Sequence, residues 1–358
     1  MRQQIAGKTV RVLGRTAEDG GMLWLMSSLS EAGFTVNGAA EVKLVLKADD
    51  TVSDPARLDL RPRYAVHVDG KRIRDTRMEQ DEETLTVLAD AAKGTHTVRL
   101  VKLSDCTQSL MALKEIITDG TVEPLDEAES RIEFIGDSIT CGYGVEENDP
   151  EKGFTTATEN AEKSYAAIVS DRLGMDRVLA SFSGHGIVSG YTGDPAVRNG
   201  SELVPPYYEK AGRNGYKLPS GREAEEIPWD FSRFRPDVIV INLGTNDLSW
   251  CAGRPERCAE YRKGYADFLK TVRKDNPEAE ILCILGVMGE GLNDSMEAAV
   301  RDYKAETGDE KIRSLALREQ DGKRNGYGAN YHPSEQTQRE LADIVTEAVR
   351  PLCPGIQK

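Results

Sequence analysis

Hydrophobic and polar residues alternate with a period of two through the first third of the chain. Val42, Leu44 and Leu46 alternate with Lys43 and Lys47. Tyr64-Ala-Val-His-Val68 runs into Asp69-Gly70, a dipeptide suited to a tight hairpin turn, and Lys71-Arg-Ile73 follows. The stretches 84–88 and 95–103 continue the alternation, and 110–117 reads as one more strand. Short strands at this spacing, with no helical period among them, predict an all-β sandwich over residues 1–125. The acidic, proline-containing stretch 120–130 reads as a linker.

From Arg131 the pattern changes. Apolar runs at 131–135, 177–182, 237–243, 279–286 and 311–317 alternate with helical periodicity at 164–173, 255–274, 294–306 and 334–352. Strand–helix alternation predicts a doubly wound, mainly parallel sheet in an α/β domain over 131–358. In such sheets the functional site lies outside the carboxyl ends of the strands. That rule selects four loops: 136–145, 183–190, 244–251 and 326–333. The stretch 190–228 is longer than a usual connection, so a lid or a cleft wall is expected there.

Length and charge narrow the function. At roughly 100–200 residues per domain, 358 residues suit two domains. The formal net charge of −14 repels phosphate backbones and anionic lipid, so neither nucleic acid nor a membrane surface is an expected partner. No run of 18 apolar residues occurs. The segment 1–9 has no apolar core of a signal peptide, which predicts a cytoplasmic protein, or a secreted one if a leader has been removed. The six cysteines make no CxxC pair, so no zinc site is expected. Reduced thiols are the simplest reading, with Cys251 and Cys258 the one pair able to close a small loop on export.

The selected loops carry one consistent chemistry. The first, Gly136-Asp-Ser-Ile-Thr-Cys-Gly-Tyr-Gly144, places Ser138 directly after a strand, where a serine is exposed among outward-pointing N–H groups. The second offers the Gly184 N–H as an oxyanion donor, and the third the Asn246 side-chain amide. The fourth holds His332, followed by Pro333 and a helix start. Each feature alone also reads as a turn or a helix cap. Together they supply a nucleophile, a base and donors for a tetrahedral oxyanion at one end of one sheet. Of the other histidines, His67 and His96 fall on strands of the first half, and His185 is the lesser candidate for the base. Asp137 and Asp247 read as loop-holding hydrogen-bond acceptors.

The blocks Gly136-Asp-Ser-Ile139, Ser183-Gly184, Gly244-Thr-Asn-Asp247 and Asn330-Tyr-His-Pro333 resemble the four blocks of the SGNH, or GDSL, hydrolases. The longer stretches Glu133–Gly144, Trp229–Asp237 and Ile241–Asp247 resemble carbohydrate esterase family 2, whose members also carry a jelly-roll-like sandwich before the SGNH domain. The resemblance implies a serine esterase that removes O-acetyl groups from plant polysaccharides or oligosaccharides such as xylan or mannan. Most SGNH enzymes carry an Asp three residues before the histidine; Ala329 stands there in this chain. Some members of carbohydrate esterase family 2 lack that Asp too, and a backbone carbonyl is thought to orient the histidine. The expectation is therefore a Ser138–His332 dyad, with Ser138, Gly184 and Asn246 forming the oxyanion hole and no cofactor. Trp250 and Tyr331, beside the third and fourth blocks, are candidate platforms for a sugar ring. The competing readings are a lipase or phospholipase of the same superfamily, and a carbohydrate-binding protein with a weak site.

Overall fold

The structure, a computed structural model, describes residues 2–4, 9–89 and 94–353. Its first part is an antiparallel sandwich of two sheets. One sheet runs in the order Thr16–Asp19, Met22–Leu25, Met111–Thr118, Val42–Ala48, Glu82–Leu88. The other runs Thr121–Pro124, Glu31–Ala39, Gly94–Lys102, Arg63–Val68, Lys71–Arg77. The alternating residues Leu44, Leu46, Val66, Val98 and Leu100 meet between the sheets. The hairpin at Asp69-Gly70 has positive φ at both central residues (49° and 75°), the turn that matches strand twist.

Two parts of the sandwich depart from the sequence reading. The stretch 120–130 is not all linker. Thr121–Pro124 pairs with Glu31–Ala39 as an edge strand, and Pro124, lacking an N–H, sits at its end. Met22–Leu25 and Glu31–Ala39 are strands that the sequence reading passes over: the first is apolar throughout, and in the second alternation is confined to Phe34-Thr-Val-Asn37. Trp24 and Met26 pack into the second domain, and Glu31 is buried in a pair with Arg99.

The second part is a five-stranded parallel sheet: β1 (Arg131–Gly136), β2 (Asp176–Ser181), β3 (Val238–Asn242), β4 (Glu280–Leu285) and β5 (Ile312–Ala316), in the order β2-β1-β3-β4-β5. The order reverses at β1, which is the switch point where ligands bind in doubly wound sheets. Helices α1 (Ser138–Cys141), α2 (Tyr165–Leu173), α3 (Thr245–Cys251), α4 (Pro255–Asp275), α5 (Asn293–Thr307) and α6 (Glu335–Val349) connect and cover it. Side-chain caps fix two starts: Ser164 accepts from Ala167 N before α2, and Ser334 from Thr337 N before α6. No described helix is long and apolar enough to cross a membrane.

The two parts share their cores. Trp24, Met26, Cys106, Leu110 and Ala112 of the sandwich belong to one cluster with Ile135, Ala180, Phe182 and Tyr208. Leu29, Ala65, Val101 and Leu103 join a second with Phe134, Tyr165 and Leu179. Between them Arg15, with no exposed surface, pairs with Glu133 on β1 at 3.0 Å and lies 5.1 Å from the centre of the Tyr208 ring. The long stretch 190–228 lends its beginning to the cleft wall. Farther on, Tyr208, Ala211, Leu218 and Ala224 fill the seam between the domains.

Candidate active site

Asp137 caps the short helix α1 by accepting from Ile139 N at 3.0 Å, and so holds Ser138 at the carboxyl end of β1. Ser138 Oγ lies 2.8 Å from Nε2 of His332. The other ring nitrogen, Nδ1, faces two backbone carbonyls, Ala329 O at 3.1 Å and Asn330 O at 3.3 Å. Carbonyls only accept, so Nδ1 carries the hydrogen and Nε2 is left to receive the serine proton. The turn that aims these carbonyls is unusual. Asn330 and Tyr331 both have positive φ (51° and 61°), uncommon for side-chain-bearing residues and a mark of a conformation imposed by its surroundings.

Those surroundings bear on the missing aspartate. Ala329 is fully buried, and its N–H donates to Gly144 O at 3.1 Å. A Cβ added at Gly144 would fall 2.4 Å from the Ala329 methyl, so the two loops interlock with the buried methyl of 329 set against Gly144. Tyr143 completes the support. Its ring stacks on His332 (centroids 4.1 Å apart, planes at 29°) and on Phe154 (4.1 Å, 21°), while its hydroxyl donates to Asn330 Oδ1 at 3.1 Å. Burial pushes the His332 pKa down to about 4, although one ring edge meets the cleft; the two carbonyl contacts oppose that shift without cancelling it.

Opposite the dyad, Gly184 has φ +80°, a conformation that glycine adopts without strain. Asn246, nearly buried at the start of α3, donates from Nδ2 to His185 O at 2.8 Å and, over a longer 3.3 Å, to Asp137 Oδ2. Asp247 accepts from the N–H groups of Ile187, Val188 and Ser189 and ties the second loop to the third. Desolvation raises Asp137 to about 7, with the Asp247 charge adding to it, and raises Asp247 to about 6. His185 donates from Nδ1 to Ser183 O at 2.9 Å, and burial lowers its pKa; the base hydrogen-bonded to Ser138 is His332. His67 and His96 lie in the sandwich beside Glu162 and Asp69.

Ser138, Gly184, Asn246 and His332 thus line one cleft of about 610 Å³. Trp250 does not. It is only 7 % exposed, packed with Tyr261 and flanked by the guanidinium groups of Arg198 and Arg257 at 5.0 and 4.8 Å, so it is a core residue and no sugar platform. Tyr331 is 48 % exposed, edge-on to Tyr327 and hydrogen-bonded to Glu151, and is not among the lining residues. The aromatic ring on the open wall is Tyr191, 61 % exposed, which the sequence reading passed over. The same reading missed Tyr143, Glu202 and Gln108, all lining residues. Tyr143 carried a weak signal, lying within the nucleophile block; the others carried none.

Among the described residues, Asp105, Cys141 and Glu159 bring possible ligand atoms within 4.8 Å of one another. All three are buried, and Lys102, whose pKa burial lowers, is buried near Asp105 and Glu159. The six cysteines are free thiols, Cys251 and Cys258 included.

Sheet order, the nucleophile turn and the four-loop cleft define an α/β domain with a Ser–His cleft of the GDSL kind. The chain belongs to the GDSL-like lipase/acylhydrolase family, whose model matches residues 134–340. It is 32 % identical over 300 residues to the cellulase/esterase CelE of Acetivibrio thermocellus, covering 79 % of this chain and 33 % of that protein. It therefore spans about a third of that relative's length. It is 24 % identical over 282 residues to an acetylxylan esterase/glucomannan deacetylase of Cellvibrio japonicus, covering 77 % and 72 %. A family two carbohydrate esterase from Clostridium thermocellum, solved with cellohexaose, superimposes with a TM-score of 0.79 at 28 % identity, covering 95 % of this chain and 98 % of that one. The sandwich-plus-parallel-sheet architecture is common to both.

Proposed function

We propose that this protein is a serine esterase that removes O-acetyl groups from plant polysaccharides or oligosaccharides of the xylan or mannan type. One observation carries the reading: Ser138 Oγ is 2.8 Å from a His332 Nε2 whose tautomer is set by backbone carbonyls, inside an open cleft. His332 takes the Ser138 proton as Oγ attacks the acetyl carbonyl. The N–H groups of Ser138 and Gly184 and the Asn246 amide stabilise the oxyanion. The Asn246 hydrogen that reaches toward Asp137 over 3.3 Å is the one available to it. Below about pH 7 Asp137 is largely uncharged, a weaker competitor for that hydrogen. The sugar hydroxyl leaves with the proton from His332, and water, deprotonated by the same nitrogen, releases acetate and regenerates Ser138.

The names of the relatives support the carbohydrate substrate. The cleft lining favours it over a long-chain lipid, since Gln108, Ser183, Glu202, Thr245, Ser249 and Asn330 outnumber the aliphatic Leu248 and Met288. The test is acetate release from acetylated xylan and acetylated mannan, with Ser138→Ala as the blank. Release by the wild type alone supports the proposal. Cleavage of nitrophenyl acetate without release from either glycan leaves an esterase and discards the glycan. A marked preference for long acyl chains would move the assignment to a lipase.

A further inference from the structure

We infer that the β-sandwich supplies a positioning residue to the catalytic cleft: Asp105 holds the oxyanion loop in place. The inference rests on the reading of Gly184 as an oxyanion donor. Asp105 lies in the sandwich, in the loop 103–110, and has no exposed surface. Its Oδ2 accepts from the backbone N–H of Ser183, the residue before Gly184, at 2.7 Å. The same oxygen accepts from Thr107 Oγ1 at 2.8 Å, and Thr107 Oγ1 in turn accepts from the side-chain amide of Gln108 at 3.1 Å. Gln108 lines the cleft, so one continuous chain of hydrogen bonds runs from a cleft wall built by the sandwich to the oxyanion loop built by the hydrolase domain.

The other side of Asp105 is tied as firmly. Its Oδ1 accepts from Thr107 N at 3.1 Å, and its own N–H donates to Glu159 Oε2 at 3.0 Å. Glu159 lies on the segment after the nucleophile, where its backbone carbonyl accepts from Arg63 of the sandwich at 2.9 Å. Asp105 is the acceptor for the Ser183 N–H; the hydrolase domain holds the loop at other points, through His185 Nδ1 to Ser183 O at 2.9 Å, Asn246 Nδ2 to His185 O at 2.8 Å, Tyr191 N to Gly184 O at 2.8 Å and His185 N to Phe182 O at 3.2 Å. Freed from Asp105, the Phe182–Ser183 peptide can turn, which leaves the bond from His185 Nδ1 to Ser183 O as the remaining hold on the neighbouring peptide and loosens the aim of the Gly184 N–H. A misaimed donor acts on the transition state and leaves ground-state binding of sugar untouched.

The experiment pairs kinetics with amide exchange on the full chain. Asp105→Ala removes both acceptors; Asp105→Asn is nearly isosteric and keeps one, so it remains informative if the alanine variant fails to fold. With nitrophenyl acetate, kcat should fall about tenfold in Asp105→Asn and about 100-fold in Asp105→Ala while KM stays within about twofold. The affinity for methylboronic acid, which forms a tetrahedral anionic adduct on a serine hydroxyl, should fall in proportion. Hydrogen exchange of a peptide covering Ser183 and Gly184 should quicken at least tenfold, with exchange in β3 unchanged. A folded Asp105→Asn protein with wild-type kcat, a loss confined to KM, or wild-type exchange at Ser183 would overturn the inference. If the wild type cleaves no ester at all, the esterase reading falls, and the exchange measurement still decides whether Asp105 holds the loop.

Discussion

The pH dependence of turnover offers a direct test of the dyad. His332 must be neutral at Nε2 to take the serine proton. In a triad a carboxylate beside Nδ1 favours the charged ring and keeps its pKa up. Here only the carbonyls of Ala329 and Asn330 face Nδ1, and burial pushes the histidine down to about 4. At pH 5 a histidine of pKa 4 is about 90 % neutral, whereas an ordinary one of pKa 6.5 is about 3 % neutral, a roughly thirtyfold difference in relative kcat/KM. The assay is acetate released from nitrophenyl acetate at substrate concentrations below KM, from pH 4 to 8 at constant ionic strength. Each sample is returned to pH 7.5 and reassayed, which separates titration from acid unfolding. The acid limb should fall below pH 5.5. Asp137 titrates near 7 behind Asn246, so the profile is repeated with Asp137→Asn, which retains the helix cap. An acid limb near 6.5 that survives this substitution would refute the account of His332.

Four further outcomes follow from the geometry. Asn246→Ala should lower kcat by on the order of 10²–10³ if its amide meets the oxyanion; a change under threefold would make it a structural residue. Tyr143→Ala, which removes both the stacked ring and the bond to Asn330, should lower kcat about tenfold or more, while Tyr143→Phe, which keeps the stack, recovers most of the loss; equal kcat in the two variants would discount the stacking. Ala329→Asp should lower both thermal stability and kcat, because position 329 is buried against Gly144; a gain in turnover would show that the loop can open to admit a triad. Arg15→Ala should cost about 3–5 kcal/mol in urea unfolding, because it strands the buried Glu133 carboxylate; a cost below about 1 kcal/mol would mean that water reaches the seam.

The division into sandwich and parallel sheet was legible because each half has its own hydrophobic period, and the switch-point rule led from the strands to the four loops. Ser138, Gly184, Asn246 and His332 lie on those loops, and the structure brings all four to one cleft. Met22–Leu25 was illegible because it is apolar throughout and no polar residue marks a second face, and in Glu31–Ala39 the alternation is confined to Phe34-Thr-Val-Asn37 between glycines. Trp250 misled because closeness in sequence to Asn246 is not closeness to the cleft: one turn of helix farther on, the side chain is inside the core. Gln108 and Asp105 reach the site from the sandwich, remote in sequence, and only folding reveals such neighbours; Tyr191 and Glu202 lie in the stretch expected to form a cleft wall, with nothing in the sequence to single them out.

The acceptor behind His332 is a peptide carbonyl, which no side-chain substitution can delete. A scan that truncates residues one by one would pass over Ala329, already alanine, and would find no side chain that accepts from His332 Nδ1. The information that aims the base is stored as two left-handed backbone conformations, at Asn330 and Tyr331, and in the contacts that keep them so. Random mutation would therefore damage this base indirectly, through glycine, alanine and tyrosine positions that look like packing. A search for the catalytic apparatus by chemistry alone would count two residues, where a search by sensitivity would draw a ring around the whole turn.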